Sequence, residues 1–375
     1  MRIALVHDWL TGMRGGEKVL RLLCGLLPQA DLLTLIHVPG STSPDIESLP
    51  IRTSFLSDLP GVGGYYRKLL PLMPFAAESL PADEYDLLIS CSHCAAKGVK
   101  KHPDALHVSY CFTPMRYVWA QADQYRRKAG LSGAALRALN GYLRAWDLRS
   151  ARHVDLYLAN SCNVADRIGR AYGRDAKVVY SPIDADFYTP SNQSREDFFL
   201  MVTALSPYKR VDLAMEAFRQ LGRPLRIIGS GPLLKRFRRE APSNVEVMGW
   251  QSDEVVRDHY RRCKALIFPG EEDFGLVPLE AMACGSPVIA LGRGGALETV
   301  IDVNSQDREP TGLLFEHPSA DSLVNAVNQF ENVEDRIQPA ECQRWASNFS
   351  QERFVSEFKQ HVGSFLQAEG RAIPW

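Results

Sequence analysis

Residues 262–300 read RCKALIFPGEEDFGLVPLEAMACGSPVIALGRGGALETV. Ala265–Pro269 is an apolar run of strand length. The acidic loop Glu271-Glu272-Asp273-Phe274-Gly275 follows it. Leu279–Cys284 then read as the start of a helix, stopped by Gly285 and Pro287. Val288–Leu291 form a second buried strand, and Gly292, Gly294 and Gly295 open the next turn. Strand, loop, helix, strand is a right-handed βαβ crossover. Glu272 and Glu280 flank it eight positions apart, one on the loop and one in the first helical turn. A ligand above this sheet edge meets both, and open α/β sheets bind ligands at that edge.

The string from Glu272 to Ala290 resembles the Glu-x7-Glu region of retaining, nucleotide-sugar-dependent glycosyltransferases of family 4. Acids at a helix start are common by themselves, because the helix dipole favours them. The resemblance is carried by Phe274-Gly275 inside the string and Gly285-x-Pro287-Val288 after it. The surrounding chain is similar to the bacterial polysaccharide mannosyltransferases of that family. The resemblance implies an α/β chain with a GT-B fold: two Rossmann-like domains whose parallel sheets face a central cleft.

Bulk properties agree with a chain of that size. With 375 residues, two cores are expected rather than one. Hydrophobic content is 45% and charged content 23%, ordinary for a globular protein. The formal net charge is −1, from 43 basic and 44 acidic residues, which carries no polyanion-binding signature. No run approaches the ~18 apolar residues of a spanning helix. MRIALVHDWL reads as a first strand rather than a signal peptide. The eight cysteines have one close pair, Cys91-Ser92-His93-Cys94, without a matching second pair. They are expected to be reduced structural thiols of a cytoplasmic protein, with no metal site.

In the amino-terminal half, strands are expected at Arg2–His7, Asp31–Val38, Ile51–Phe55, Tyr85–Ser90, His107–Cys111, Val154–Ala159 and Val178–Ser181. Gly15 and Gly16 stand at the first strand-to-helix turn, where backbone N–H groups can meet an anion. Arg14 adds a cation there. The turn lacks the Gly-x-Gly-x-x-Gly dinucleotide fingerprint. In the resembled enzymes this loop faces the diphosphate and the acceptor. His93 and Lys97 lie in a Ser-His…Ala-Lys-Gly turn that resembles theirs, and so become candidate sugar or acceptor contacts. The resembled enzymes carry a histidine where this chain has Phe112. A phenylalanine shapes a pocket but accepts no hydrogen bond from a sugar hydroxyl. Tyr110, Thr113, Arg116 and His93 are the candidates to compensate, and Arg116 beside Tyr117 and Trp119 reads as a sugar and anion surface.

Two segments admit a membrane reading. Residues 65–75 mix aromatic, basic and aliphatic side chains, which suits either a lipid headgroup layer or a helix packed on the sheet. Residues 121–153 carry Arg126, Arg127, Arg137, Arg144, Arg149 and Arg152, with leucines at helical spacing. Anionic lipid or a lipid diphosphate suits that face better than nucleic acid.

In the carboxy-terminal half, strands are expected at Phe198–Val202, Leu225–Ile228, Val245–Met248 and Gly312–Phe315, besides the two already read. Lys209 and Arg210 precede a helix from Val211, where cations and helix N–H groups suit a diphosphate. Gly229 and Gly231 follow another strand and allow close approach to diphosphate or ribose. The domains expected are 1–185, completed by a helix at 356–375, and 195–355.

The resemblance assigns the roles. Glu280 accepts from ribose hydroxyls. Glu272 holds hexose hydroxyls together with the backbone of Phe274, Gly275 and Leu276. Lys209 and Arg210 offset charge on the leaving diphosphate. No acidic metal triad is evident, so no cofactor is expected beyond the donor, taken to be GDP-mannose. The acceptor implied is a lipid-linked glycan at the inner membrane face, with no nucleic acid involved. The rival reading is a non-catalytic sugar-nucleotide-binding or assembly protein, raised by Phe112. A phosphorylase-like enzyme would need a cofactor-binding lysine pattern that the chain does not show.

Overall fold

The structure is a computed structural model. It describes residues 1–119 and 133–375, with side chains from residue 137 onward in the Gly133–Ala151 helix. Arg126 and Arg127 lie outside the described residues. The chain divides into two compact units, Met1–Tyr180 with Val355–Trp375, and Ser181–Phe354.

The amino-terminal unit is built on a seven-stranded sheet. Its strands are β1 (Ile3–His7), β2 (Asp31–Thr34), β3 (Ile51–Thr53), β4 (Leu87–Ser92), β5 (Leu106–Cys111), β6 (Leu156–Ala159) and β7 (Lys177–Val178). They lie in the order β3-β2-β1-β4-β5-β6-β7, and every pairing is parallel. Strands covered on both faces read as unbroken apolar runs, as β1 and β4 do. The second strand stops at Thr34, short of the expected Val38, and beyond it Leu10 and His37 pair in the same register as an isolated parallel bridge.

The carboxy-terminal unit has six strands: β8 (Phe199–Val202), β9 (Leu225–Ile228), β10 (Val245–Gly249), β11 (Ala265–Phe268), β12 (Val288–Leu291) and β13 (Gly312–Phe315). Their order is β10-β9-β8-β11-β12-β13, again parallel throughout. Both units are thus Rossmann-like. In each, the strand order reverses beside the first strand: between β1 and β4, and between β8 and β11. These are the switch points at which such sheets open a crevice.

The last helix, Gln351–Ala368, begins in one unit and ends in the other. Its buried residues Phe354, Phe358, Val362 and Leu366 recur every four positions, one helix face. The tail is tied into the amino-terminal unit by Gln29 Nε2 to the Pro374 carbonyl at 3.2 Å and Arg371 to the Asp104 carbonyl at 2.6 Å.

Residues 65–75 pack against the core on one side and leave two apolar side chains exposed on the other. Tyr66–Leu72 is a 3-10 turn and Met73–Glu78 a short helix, with Tyr66, Met73, Ala76 and Ala77 in the core. Leu72 and Phe75 remain exposed, Phe75 by 56%, and Phe75 stacks on Tyr142 of the Gly133–Ala151 helix. Leu143 and Trp146 of that helix are buried.

The same helix corrects one sequence expectation. Lys97 is not open to a sugar or an acceptor. It is 2% exposed, and its ammonium is bonded to Asp147, itself fully buried. Asp147 also accepts from Trp119 Nε1 at 2.7 Å and Tyr172 Oη at 2.8 Å. Burying an ammonium is tolerable only with such a partner, so Lys97 anchors the helix to the turn after β4. Gly98 is required beside it, since a Cβ there would overlap the Trp146 ring. Replacing Asp147 with Ala strands a buried cation. Urea unfolding of the full chain is expected to show a loss of about 3–5 kcal/mol.

Candidate active site

At the carboxyl edge of the second sheet, three loops are drawn together by backbone contact. After β8, Thr203 N–H bonds the Ile228 carbonyl at 2.9 Å and Leu205 N–H the Ser230 carbonyl at 2.8 Å. Gly229 and Gly231 have φ of 144° and 156°, and a Cβ at either would run into the carbonyls of Thr203 and Leu205. The close approach these glycines allow is therefore to the protein's own backbone. Gly270 does the same for the loop after β11, where a Cβ would lie 3.0 Å from the Tyr208 carbonyl.

The result is that Lys209, from the loop after β8, reaches Glu272, from the loop after β11, across the switch point. Their ammonium and carboxylate are hydrogen-bonded and both are largely shielded. Sequence places these residues 63 positions apart. Arg210 parts from Lys209. It adopts a left-handed backbone with φ 54°, and its guanidinium is held by Asp212 at 3.4 Å and the Pro318 carbonyl at 3.4 Å.

The Glu272 loop is itself pinned. Gly295 N–H bonds the Glu272 carbonyl at 2.9 Å, and a Cβ on Gly294 or Gly295 would overlap the backbone of Glu272 or Phe274. The Phe274 side chain is buried, with its ring 5.8 Å from Phe349, so what it offers a ligand is backbone. Gly275, φ 106°, turns the chain into the helix, which runs Leu276–Ala283. That start lies three residues before the expected one, so Glu280 stands in the second turn, not the first. Glu280 is 9% exposed and accepts from Tyr260 Oη at 3.3 Å. Burial and then the Glu280 charge push the phenols of Tyr260 and Tyr188 upward, so both remain donors beside an anion.

At the carboxyl edge of the first sheet, Gly15 and Gly16 open the Gly15–Leu26 helix. The buried Glu17 accepts from Arg14 N–H at 3.1 Å and lies 3.9 Å from His7 Nε2. Arg14 itself reaches Thr11 and the Tyr66 hydroxyl, at 3.4 and 3.5 Å. A Cβ on Gly16 would sit 3.4 Å from the Phe112 ring and 3.5 Å from His7. Next to them the buried Asp8 receives His93, whose Nδ1 is 2.9 Å away. Arg116 is half-buried in the segment that follows β5. Thus Arg14, Gly15, Gly16, His93 and Phe112 come together in this unit, whereas Lys97 is withdrawn into its core.

Sequence reading missed His7, Asp8, Glu17, Tyr188 and Tyr260. His7-Asp8 carried a usable signal, two adjacent titratable residues ending an apolar strand at a sheet edge. The tyrosines around Glu280 carried none. The Cys91 and Cys94 thiols are buried and pushed up by that burial, which keeps them protonated, and among the described residues no His/Cys/Asp/Glu group is arranged to hold a metal ion. No described helix is long and apolar enough to cross a membrane.

Comparison with known proteins adds to this geometry. Residues 184–350 match the family model of glycosyl transferases group 1. An uncharacterized glycosyltransferase of Methanocaldococcus jannaschii is 32% identical over 165 residues, 43% of this chain and 45% of that one. A GDP-mannose-dependent alpha-(1-6)-phosphatidylinositol monomannoside mannosyltransferase of Mycobacterium tuberculosis is 27% identical over 251 residues, 56% of this chain and 64% of that one. The chain thus spans less than two thirds of the length of either relative. Among solved structures, Anabaena HepE in complex with UDP aligns with a TM-score of 0.70 at 19% identity, covering 98% of this chain and all of that one. The fold is therefore the GT-B class of two parallel-sheet Rossmann-like domains.

Burial favours neutral Asp8 and neutral Glu17, but their histidine neighbours and hydrogen bonds outweigh it and hold both carboxyls below their ordinary values of 3.8 and 4.5. A depressed carboxyl stabilises the folded state above its unfolded pKa and loses that contribution as pH falls through the folded value. The amino-terminal unit is expected to lose stability progressively as pH drops below about 4. Thermal melts of wild type and Asp8→Asn across that range check this, the variant showing the shallower slope.

Proposed function

We propose that this chain is a retaining, family 4-like glycosyltransferase that moves a hexose, mannose from GDP-mannose, onto a lipid-linked glycan in polysaccharide synthesis. The observation that carries the reading is Lys209 meeting Glu272 at the switch point of residues 195–355, with Glu280 in the helix that follows. The group 1 match covers these three residues. In this reading residues 195–355 take the donor, and residues 1–185 with 356–375 meet the acceptor.

Glu280 accepts from the ribose hydroxyls and Glu272 from the hexose. Lys209 exchanges part of its bond to Glu272 for the diphosphate, and Arg210 adds positive charge to the same loop. The N–H groups of Gly275 and Leu276 point from the helix start. During transfer the anomeric C–O bond breaks and its electron pair leaves on the diphosphate. The acceptor oxygen bonds the same face of the sugar, and its proton passes to the departing phosphate. Positive charge at Lys209 acts where negative charge develops, which lowers the barrier.

GDP-mannose is favoured by the name of the mycobacterial relative, which also acts on a phosphatidylinositol glycoside. The competing donor is a UDP-sugar, because HepE binds UDP. Exposed Leu72, Phe75 and Tyr142, with Lys100 and Arg149 nearby at Glu78, suit peripheral contact with anionic lipid at the inner membrane face. Phe112 favours a second reading, a sugar-nucleotide-binding protein without turnover, because its ring supplies no polar atom.

A screen of GDP-, UDP- and dTDP-sugars, followed by two variants, tests the proposal. Glu280→Gln is expected to weaken binding of free nucleotide and of donor alike. Glu272→Gln is expected to spare free nucleotide yet lower transfer about ten- to a hundred-fold, the worth of one charged hydrogen bond. Equal transfer by wild type and Glu272→Gln would remove Glu272 from the sugar site. Tighter saturation by a UDP-sugar than by GDP-mannose would overturn the donor assignment.

A further inference from the structure

Asp8 follows β1 directly and is fully buried. Its carboxylate accepts from the backbone N–H groups of His93, Cys94, Ala95 and Ala96 at 2.7, 3.0, 2.6 and 2.7 Å. It also faces His93 Nδ1 at 2.9 Å. One side chain thus folds the turn after β4 around itself and captures a ring from that turn. A carboxylate saturated by four N–H donors is an acceptor, so Nδ1 must carry the proton. In the neutral ring the lone pair then lies on Nε2.

The ring has little freedom. Trp9 meets it edge-on at 4.6 Å between centroids, and Phe112 lies 6.5 Å away at a steep angle. The His93 side chain is still 31% exposed, and Nε2 has no partner among the described residues. Around it stand the half-buried Phe112 ring and the glycine turn, at the switch point between β1 and β4. An oriented nitrogen acceptor beside an apolar ring matches the alternating hydroxyl and C–H surface of a sugar.

We propose that Asp8 and His93 form a hydroxyl-binding couple, in which Asp8 is a positioning residue and His93 Nε2 accepts a hydrogen bond from a hydroxyl of a sugar or polyol. This deepens the glycosyl-transfer reading, on which it rests for the identity of the hydroxyl as the acceptor's. No bond is made or broken at the ring. Phe112, which closes one wall, leaves the polar contact to its neighbour.

Two measurements test the couple on the full chain. Imidazole nitrogen NMR, with His93→Gln for assignment, is expected to show the Nδ1–H tautomer of His93 in the wild type. Saturating methyl α-D-mannopyranoside is expected to move the Nε2 resonance, and Asp8→Asn to mix the tautomers. An Nε2–H tautomer, or an Nε2 resonance unmoved by the sugar, overturns the proposal. In transfer from GDP-mannose to octyl α-D-mannopyranoside, His93→Ala is expected to raise the acceptor KM about tenfold or more, with GDP affinity within about twofold of wild type. His93→Gln, which restores an acceptor at similar reach, recovers part of it. An unchanged acceptor KM in a folded His93→Ala variant also overturns it. Should wild type transfer to no acceptor while the tautomer and the sugar-induced shift hold, glycosyl transfer fails and the couple stands.

Discussion

Parallel pairing is the constraint from which the rest follows. Every strand in each sheet runs the same way, so every loop after a strand emerges at one edge. The chain must return by a crossover each time, most often through a helix, and these crossovers cover the faces of the sheets. Function is left with a single edge per unit. At that edge the reversal of strand order parts two neighbouring loops and leaves room between them.

What fills that room is controlled by backbone, not by side-chain bulk. Gly229, Gly231, Gly270, Gly294 and Gly295 each stand where a Cβ would press on another loop's main chain. The loops consequently lie at hydrogen-bonding distance, and Lys209 can reach Glu272 without a long flexible approach. Held this way, a cation and an anion are pre-oriented before any ligand arrives, which reduces the reorganisation that binding would otherwise cost. The first unit achieves the same end by a different device. Asp8, rather than glycine contacts alone, organises the turn after β4 through its hydrogen bonds.

Charge burial separates two lysine–carboxylate pairs of similar position. Lys97 and Lys209 both follow a strand at a switch point, and both pair with a carboxylate. Lys97 is sealed under Trp146 and Tyr172, with Asp147 shared among three donors. Moving it toward a ligand would strand Asp147 in the core. Lys209 and Glu272 are only partly shielded, 13% and 21% exposed, so an incoming polar group can take over part of their bond. The difference lies in what covers each pair, not in the residues themselves.

The sequence alone determined the periodic and punctuated features. Thirteen short apolar runs bounded by turn residues became the thirteen strands of two sheets, seven and six. The run from Ala265 to Leu291 already held the crossover and both glutamates, because strand, glycine turn and helix are written in adjacent residues. Boundaries shifted where a local cue was weak: Gly275 starts its helix in a left-handed conformation, so the helix opened at Leu276 and Glu280 moved to its second turn. Only the tertiary structure decided which charged groups are paired and buried. Lys97 with Asp147, Asp8 with His93, and Glu280 with Tyr260 are contacts separated by 50, 85 and 20 positions. No local pattern encodes them, since burial and charge pairing depend on which elements the fold brings together.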